Sequence, residues 1–371
     1  MDGMPACYNL LGRTGLRVSP LALGAMTFGD GGWQAGTAAA RSVFARYLEA
    51  GGNFIDTADA YGSGASEELL GTFMTEAGAR DRLVLATKFS IASRPGDPNS
   101  GGNGRKNMIA SLEGSLRRLG TDYVDLYWMH MWDGVTPAAE VMATFDALAS
   151  SGKIRAAGLS NVPAWYAAAA QTAASAGGRE PVAALQLEYS LAERSIEREH
   201  LPAAAALGMG VVAWSPLANG FLAGKYRRGT DALLAGSGRL AVMAGEGRFA
   251  QPSQAGNPTF TKLFTDRGWR IADVLAQVAA EIGRSPAQVA LNWVTRRPGI
   301  AATLIGVTRL EQLEENMRAM DFEIPPELAA RLDEASQPAQ AYPYYLFDPA
   351  GQPMLSAGTL VQAPPAWTPS R

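Results

Sequence analysis

Short apolar runs recur along the chain, each followed by a polar or glycine-containing loop and then a longer amphipathic stretch. The runs are Leu21–Leu23, Phe54–Ile55, Leu83–Ala86, Val124–Trp128, Ile154–Gly158, Ala183–Leu187, Val211–Trp214 and Thr303–Ile305. They recur about every thirty residues, the length of a strand-plus-helix unit, and only the last gap is much longer. Helical periodicity fills the intervals at Ala38–Ala50, Ser66–Glu76, Lys106–Leu119, Pro137–Ser150, Pro163–Ala176 and Glu193–Leu207, and later at Ile271–Ile282 and Pro286–Arg296. Gly51-Gly52 reads as a helix stop. Pro163 and Pro286 stand where a first helical turn begins, the position proline tolerates best.

Eight strands, each with a helix after it, favour a closed (β/α)8 TIM barrel over an open doubly wound sheet. Pattern alone leaves the open sheet possible. Its dinucleotide fingerprint would be G-x-G-x-x-G after the first strand. Here that turn reads Gly24-Ala25-Met26-Thr27-Phe28-Gly29, which does not fit. Three segments read as long loops: Phe89–Arg105, Arg227–Pro258 and the tail from Pro338 to Arg371. Loops of this length in a compact domain are usually functional or disordered. The whole chain, 1–371, is expected to be one barrel domain, with the tail at 338–371 packing near the active site.

Composition narrows the class without naming a chemistry. The 371 residues are 47% hydrophobic and 18% charged, enough for a real core. A net charge of -3 gives the surface no general pull on nucleic acid or anionic lipid. Cys7 is the single cysteine, so no internal disulfide forms. The N-terminus lacks a basic region followed by an apolar run, and the Ala-rich stretch from Trp165 to Ala176 is too short to span a bilayer. A cytoplasmic protein is the expectation. No clustered His and Cys ligands suggest a metal site.

Candidate chemistry comes from where polar residues fall. Active sites of such barrels lie at the C-terminal ends of the strands. Asp56 ends the second run, Lys88 the third and His130 the fourth, while Tyr61 lies in the loop after the second. Taken singly, Asp56 could cap a helix, Lys88 could snorkel, Tyr61 could pack and His130 could be structural. Four titratable groups on successive strand ends point instead to one rim. His200 falls on a helical stretch and is read as structural. The set suits carbonyl reduction. Hydride addition builds negative charge on oxygen, which needs a proton and positive dipoles. A phenol gives up its proton reluctantly at neutral pH. An ammonium about 4 Å away favours the phenolate by up to roughly 4 kcal/mol before desolvation is subtracted. Asp56 would hold Lys88 charged, and His130 would orient the carbonyl.

These blocks resemble the aldo-keto reductase superfamily, from Tyr8 to about Gly358, and in particular a subgroup with bacterial and fungal enzymes and potassium-channel β subunits. NFIDTADAYGSGASEELLG supplies Asp56 and Tyr61, LVLATKF supplies Lys88, and DYVDLYWMHMWD supplies His130. The resemblance implies a barrel with an N-terminal β-hairpin cap and long loops at its C-terminal face. It implies a nicotinamide site at Ser160, Asn161 and Gln186, with Trp214 under the ring and Gly24, Met26, Thr27 and Asp56 nearby. Ser215, Pro216, Leu217, Gly220 and Lys225 would hold the pyrophosphate. Gly306, Thr308, Arg309, Gln312, Glu315 and Asn316 would grip the adenosine end. Arg309 is expected to pair with a 2′-phosphate, which favours NADP(H) over NAD. The loop at 227–258 would fold over the cofactor. Phe28, Trp33, Phe89 and Trp132 are expected to line an aromatic substrate pocket.

The expected activity is therefore NADPH-dependent reduction of an aldehyde or ketone, with Tyr61 as acid. The expected partner is a small-molecule carbonyl compound, and a homo-oligomer is compatible with the fold. A redox-sensing subunit that binds NADP(H) with little turnover is the alternative. A glycosidase using Asp56 and Glu188 would leave Lys88 and Tyr61 unexplained.

Overall fold

A computed structural model describes residues 7–31, 34–226, 228, 262–347, 352–355 and 357–359. Eight parallel strands close into a barrel: β3 (Leu21–Gly24), β4 (Phe54–Asp56), β5 (Val84–Phe89), β6 (Val124–Met129), β7 (Ile154–Ser160), β8 (Val182–Glu188), β9 (Gly210–Trp214) and β10 (Ile300–Ile305). Neighbours in sequence are neighbours in space, and β10 closes the ring by pairing with both β9 and β3. This is the TIM-barrel architecture. A hairpin of β1 (Asn9–Leu10) and β2 (Arg17–Val18) precedes it.

The hairpin stoppers the N-terminal end of the barrel. Leu11 and Val18 are fully buried and join the interior cluster with Ala22, Ala86, Ala156, Ala184 and Ala302. So many small side chains leave room for large ones, Phe54 and Trp128. Gly158 sits beside Trp128 in register, and a Cβ there would stand 2.2 Å from the indole. Polar ties fix the stopper: Arg13 N donates to Gly208 O (3.0 Å) and Asn9 Nδ2 to Ala301 O (2.9 Å).

Outside the ring, helices bury apolar faces against the other side of the strands. They are α1 (Thr37–Glu49), α2 (Ala65–Ala77), α3 (Arg105–Leu119), α4 (Ala138–Ser150), α5 (Ala164–Ala176), α6 (His200–Leu207), α7 (Asp266–Ile282), α8 (Pro286–Thr295), α9 (Leu310–Met317) and α10 (Pro326–Ser336). Their ends follow local rules. Gly51 adopts φ 86° after α1, and Gly52 leaves space for the buried Tyr47 ring. Ser285 and Gln288 form a reciprocal capping box around Pro286 at the start of α8.

One helical stretch is corrected. The periodic segment Glu193–Leu207 is a helix only from His200. Upstream, Ser190 and Glu193 exchange backbone bonds, the Glu193 carboxylate accepts from Ser195 N (3.0 Å), and Ser195–Glu197 forms a 3-10 turn. Those local bonds compete with helix formation. Among the described residues, the long gap before β10 holds the two expected helices, α7 and α8.

The chain divides into two compact units, Met1–Ser336 and Gln337–Arg371. The second contains a 3-10 turn at Tyr344–Phe347 and a short helix at Gln352–Leu355. Among the described residues, no helix is long and apolar enough to cross a membrane.

Candidate active site

Strand alternation aims Asp56 and Lys88 into the top of the barrel, where both are buried, at 2% and 0% exposed. The three ammonium hydrogens of Lys88 have three acceptors: Asp56 Oδ1, Thr57 O (2.7 Å) and the Tyr61 hydroxyl (3.2 Å). The second oxygen of Asp56 accepts from Gln186 Nε2 at 2.8 Å. Burial alone would lower the pKa of Lys88, but the charge of Asp56 and the contact with Tyr61 outweigh it and hold the amine above its ordinary value.

Tyr61 opens a 3-10 turn just after β4, its backbone N–H donating to Ala58 O at 3.1 Å. Its ring meets His130 edge to face, with centroids 5.8 Å apart. The Lys88 ammonium also lies 4.8 Å from the centre of that ring. His130 follows β6 directly. Burial first, and then the charge of Lys88, push its pKa down to about 3, so the imidazole is neutral at ordinary pH. Asp56, Tyr61, Lys88 and His130 thus converge on one rim, as their strand positions suggested.

The nicotinamide-end residues gather beside them. Asn161 Nδ2 donates to His130 O (2.9 Å) and Ser160 Oγ (3.0 Å), and its Oδ1 accepts from Trp214 Nε1 (3.1 Å). The Asn161 amide therefore ties three strand ends together. Asn161 and Ser215, each just past a strand, adopt φ 50° and 54°, the left-handed region that side chains occupy at a cost. The turn continues through Pro216 and Leu217, with Ala218, Asn219 and Gly220 at φ 46°, 56° and 89°. A Cβ on Gly220 would stand 3.2 Å from the Lys225 stem.

Gly24 ends β3, and Met26 and Thr27 form the 3-10 turn after it. Thr27 Oγ1 donates to Val307 O (2.7 Å), which seats Gly306 against Thr27. Gln312 Oε1 accepts from Thr308 N (2.9 Å), and Arg309 is the N-cap residue of α9. Asn316 is buried, and Glu315 O accepts from Gln288 Nε2 (3.1 Å). The pKa of Lys225 is lowered by desolvation and then by the charge of Arg309, with Glu315 acting the other way. The two positive charges therefore disfavour one another.

The aromatic expectations are corrected in part. Phe28 and Phe89 are completely buried in the layer between strands and helices. Phe28 packs on Phe73, and Phe89 on Tyr127 and Phe145, so neither presents a face to a ligand. Phe89 is the last residue of β5, and Phe28 follows the 3-10 turn after β3. Trp132 is half-buried at the rim and meets Trp165 edge to face at 5.3 Å. Trp33 and the expected loop at 227–258, apart from Arg228, lie outside the described residues. Glu188 is ion-paired with Lys262 (2.8 Å), and both oxygens of Asp56 are bonded to other groups, which removes the carboxylate pair a glycosidase would need. His200 Nε2 donates to Val162 O (2.8 Å), a structural bond.

Four polar residues escaped the sequence reading. Thr57 contributes only a carbonyl, which has no sequence signal. Ser90 and Asn103 sit in a run of turn-forming residues. Asp59 lies behind the Tyr61 loop, its pKa raised to about 7 by burial and the nearby Glu67 charge.

Residues 20–337 match the sequence profile of the Aldo/keto reductase family. An uncharacterized oxidoreductase of Bacillus subtilis is 35% identical, over 88% of this chain and 95% of the relative. An aryl-alcohol dehydrogenase [NADP(+)] of Phanerodontia chrysosporium is 32% identical, over 90% and 86% respectively. A probable voltage-gated potassium channel subunit beta of Oryza sativa is 33% identical, over 89% and 96%. With the barrel and the converging rim, these likenesses place the chain in the aldo/keto reductase family.

Proposed function

We propose that the chain is an NADP(H)-dependent oxidoreductase that reduces an aldehyde or ketone to an alcohol, with Tyr61 as the general acid. The observation that carries this reading is the Lys88 ammonium, locked by Asp56 and donating to the Tyr61 hydroxyl at 3.2 Å beside a neutral imidazole. A family relative named as an NADP(+) aryl-alcohol dehydrogenase supports the same chemistry.

The residues present fit a dinucleotide. Lys225 and Arg309 are like charges close enough to disfavour one another, and an anion between them would relieve that. A guanidinium fork suits a phosphate. Ser160, Asn161 and Gln186 would hold the carboxamide, Trp214 would lie against the ring, and the turn from Ser215 to Gly220 would face the pyrophosphate. Bound NADPH would supply the hydride.

The protein's own part is proton transfer and orientation. As negative charge grows on the substrate oxygen, the Tyr61 hydroxyl gives it a proton. Lys88, donating to the phenol oxygen, stabilises the phenolate left behind. Asp56 and the Thr57 carbonyl keep the ammonium protonated and aimed. His130 offers an uncharged N–H to the carbonyl oxygen, so it positions that oxygen without competing as an acid. The substrate is a small carbonyl compound, and the aryl class suits the half-buried Trp132 at the rim.

The test is NADPH and NADH binding by fluorescence, followed by oxidation of NADPH on a panel of aliphatic and aromatic aldehydes. Tyr61→Phe should keep nucleotide binding and lose turnover by about 100-fold or more. Tight NADPH binding with no turnover on any carbonyl would favour a redox-sensing subunit. Absence of binding to either nucleotide by the folded protein would overturn the proposal.

A further inference from the structure

The His130 ring packs edge to face on Tyr61, but the hydrogen bonds that place the residue run through its main chain. Its Nδ1 is buried with no hydrogen-bond partner among the described residues. Its backbone N–H, by contrast, lies within reach of two acceptors, Phe89 O (2.9 Å) and Ser90 Oγ (3.2 Å), and its carbonyl accepts from Asn161 Nδ2 (2.9 Å). Whatever fixes this backbone fixes the point from which the imidazole projects.

One fully buried side chain reaches both sides of it. Asn103 comes from the loop after β5 and is 0% exposed. Its Oδ1 accepts from Ser90 Oγ at 2.6 Å, and Ser90 touches His130 from the front. Its Nδ2 donates to Met131 O at 3.0 Å, the carbonyl just after His130. Its backbone N–H donates to Asp133 Oδ2 (2.8 Å), whose carboxylate also gathers Val135 N, Thr136 N and Thr136 Oγ1. The bracket is firm enough to hold Ser90 at φ 122°, a region L side chains rarely occupy. Gly102 N donates to Ser90 O (2.8 Å) and Asn107 Nδ2 to Gly102 O (2.9 Å), so the loop end beside Asn103 is fixed as well.

We propose that Asn103 is the positioning residue for His130: from the loop after β5 it clamps the main chain on both sides of the imidazole. The long loop at 90–104 is then the carrier of that clamp. A merely structural role would have Asn103 stabilise the loop without affecting His130.

The chain has 2 histidines, His130 and His200, so the ring Cε1–H region of a carbon–proton spectrum holds two protein signals. A His200→Gln variant assigns them. In Asn103→Ala, the His130 signal should shift or broaden while the His200 signal stays. Ser90→Ala cuts the same clamp from its other side and serves if Asn103→Ala does not fold. An unmoved His130 signal in either folded variant overturns the proposal. The kinetic arm rests on the carbonyl-reductase reading. There Asn103→Ala should lower kcat on the order of 10- to 100-fold with KM little changed. In a His130→Gln background the same substitution should cost less than about 2-fold, because coupled residues are non-additive. Equal losses in both backgrounds would also overturn it. A wild-type protein that turns over no carbonyl would sink the reductase reading alone, and the spectrum would still decide the role of Asn103.

Discussion

Removing the charge of Lys88 separates what the buried ion pair does for stability from what it does for chemistry. Lys88→Met keeps the stem length and deletes the ammonium. Three hydrogen bonds go with it, to Asp56, Thr57 O and Tyr61. Asp56, only 2% exposed, is left with the Gln186 amide at 2.8 Å. An uncompensated buried carboxylate costs about 3–5 kcal/mol. Replacing both partners should recover most of that, since a buried pair exchanged for neutral groups is often close to neutral in stability. Asp56→Asn/Lys88→Met should therefore unfold in urea near the wild-type midpoint, while Lys88→Met unfolds well below it. The sign with pH follows. In the wild type the raised pKa of Lys88 means that its contribution is complete below 10.5 and is lost only as pH climbs through the higher folded value. Both variants should lack NADPH-dependent turnover, because neither holds a cation at the Tyr61 hydroxyl. The reasoning fails if the double variant is as unstable as the single one, or if either keeps wild-type kcat.

Two further expectations concern residues outside that pair. Asp59 has a folded pKa of about 7 against an ordinary 3.8, raised by burial and by Glu67 and partly offset by Arg118. Between those values the folded chain holds a proton that the unfolded chain has released, so stability falls as pH rises through the window, by at most about 4 kcal/mol. Urea midpoints from acid to mildly alkaline pH should show a flatter profile for Asp59→Asn, with its gain largest above neutrality, and an unchanged slope would rule Asp59 out as the cause. Gly158→Ala would drive a methyl to 2.2 Å from the Trp128 indole inside the barrel. Overpacking of this kind costs about 1–3 kcal/mol, and Trp128→Phe in the same chain should restore part of it, as thermal melts would show.

Much of the fold was legible because each barrel strand is a short apolar run and each helix an amphipathic one. Even β10, isolated after the longest gap, stood out at Thr303–Ile305 within its observed span of Ile300–Ile305. The hairpin did not stand out. Its strands have two residues each, too few for any period, and only family resemblance suggested them. The segment from Glu193 misled because Ala and Leu spacing cannot report that Ser190, Glu193 and Ser195 satisfy one another locally. At the site, Asp56, Lys88 and His130 were visible through their places at strand ends, whereas Phe89, at the end of β5, looked like a pocket residue for the same reason, as did Phe28 just past the turn after β3. A shift of one residue along a strand exchanges interior for exterior, and sequence alone does not fix that register. Asn103 was invisible, since its importance lies in two loops that meet only in space.

The full hydrogen bonding of Lys88 bears on reactivity as well as on acidity. An amine attacks an aldehyde with its lone pair, and condensation to an imine would destroy the site with every reactive carbonyl that entered. Here that pair is occupied by a proton, and all three N–H bonds point at fixed oxygens. Asp56, by keeping the nitrogen an ammonium, also keeps it from being a nucleophile. On the proposed reading, the protein places a lysine next to its own electrophilic substrates and leaves it chemically inert toward them.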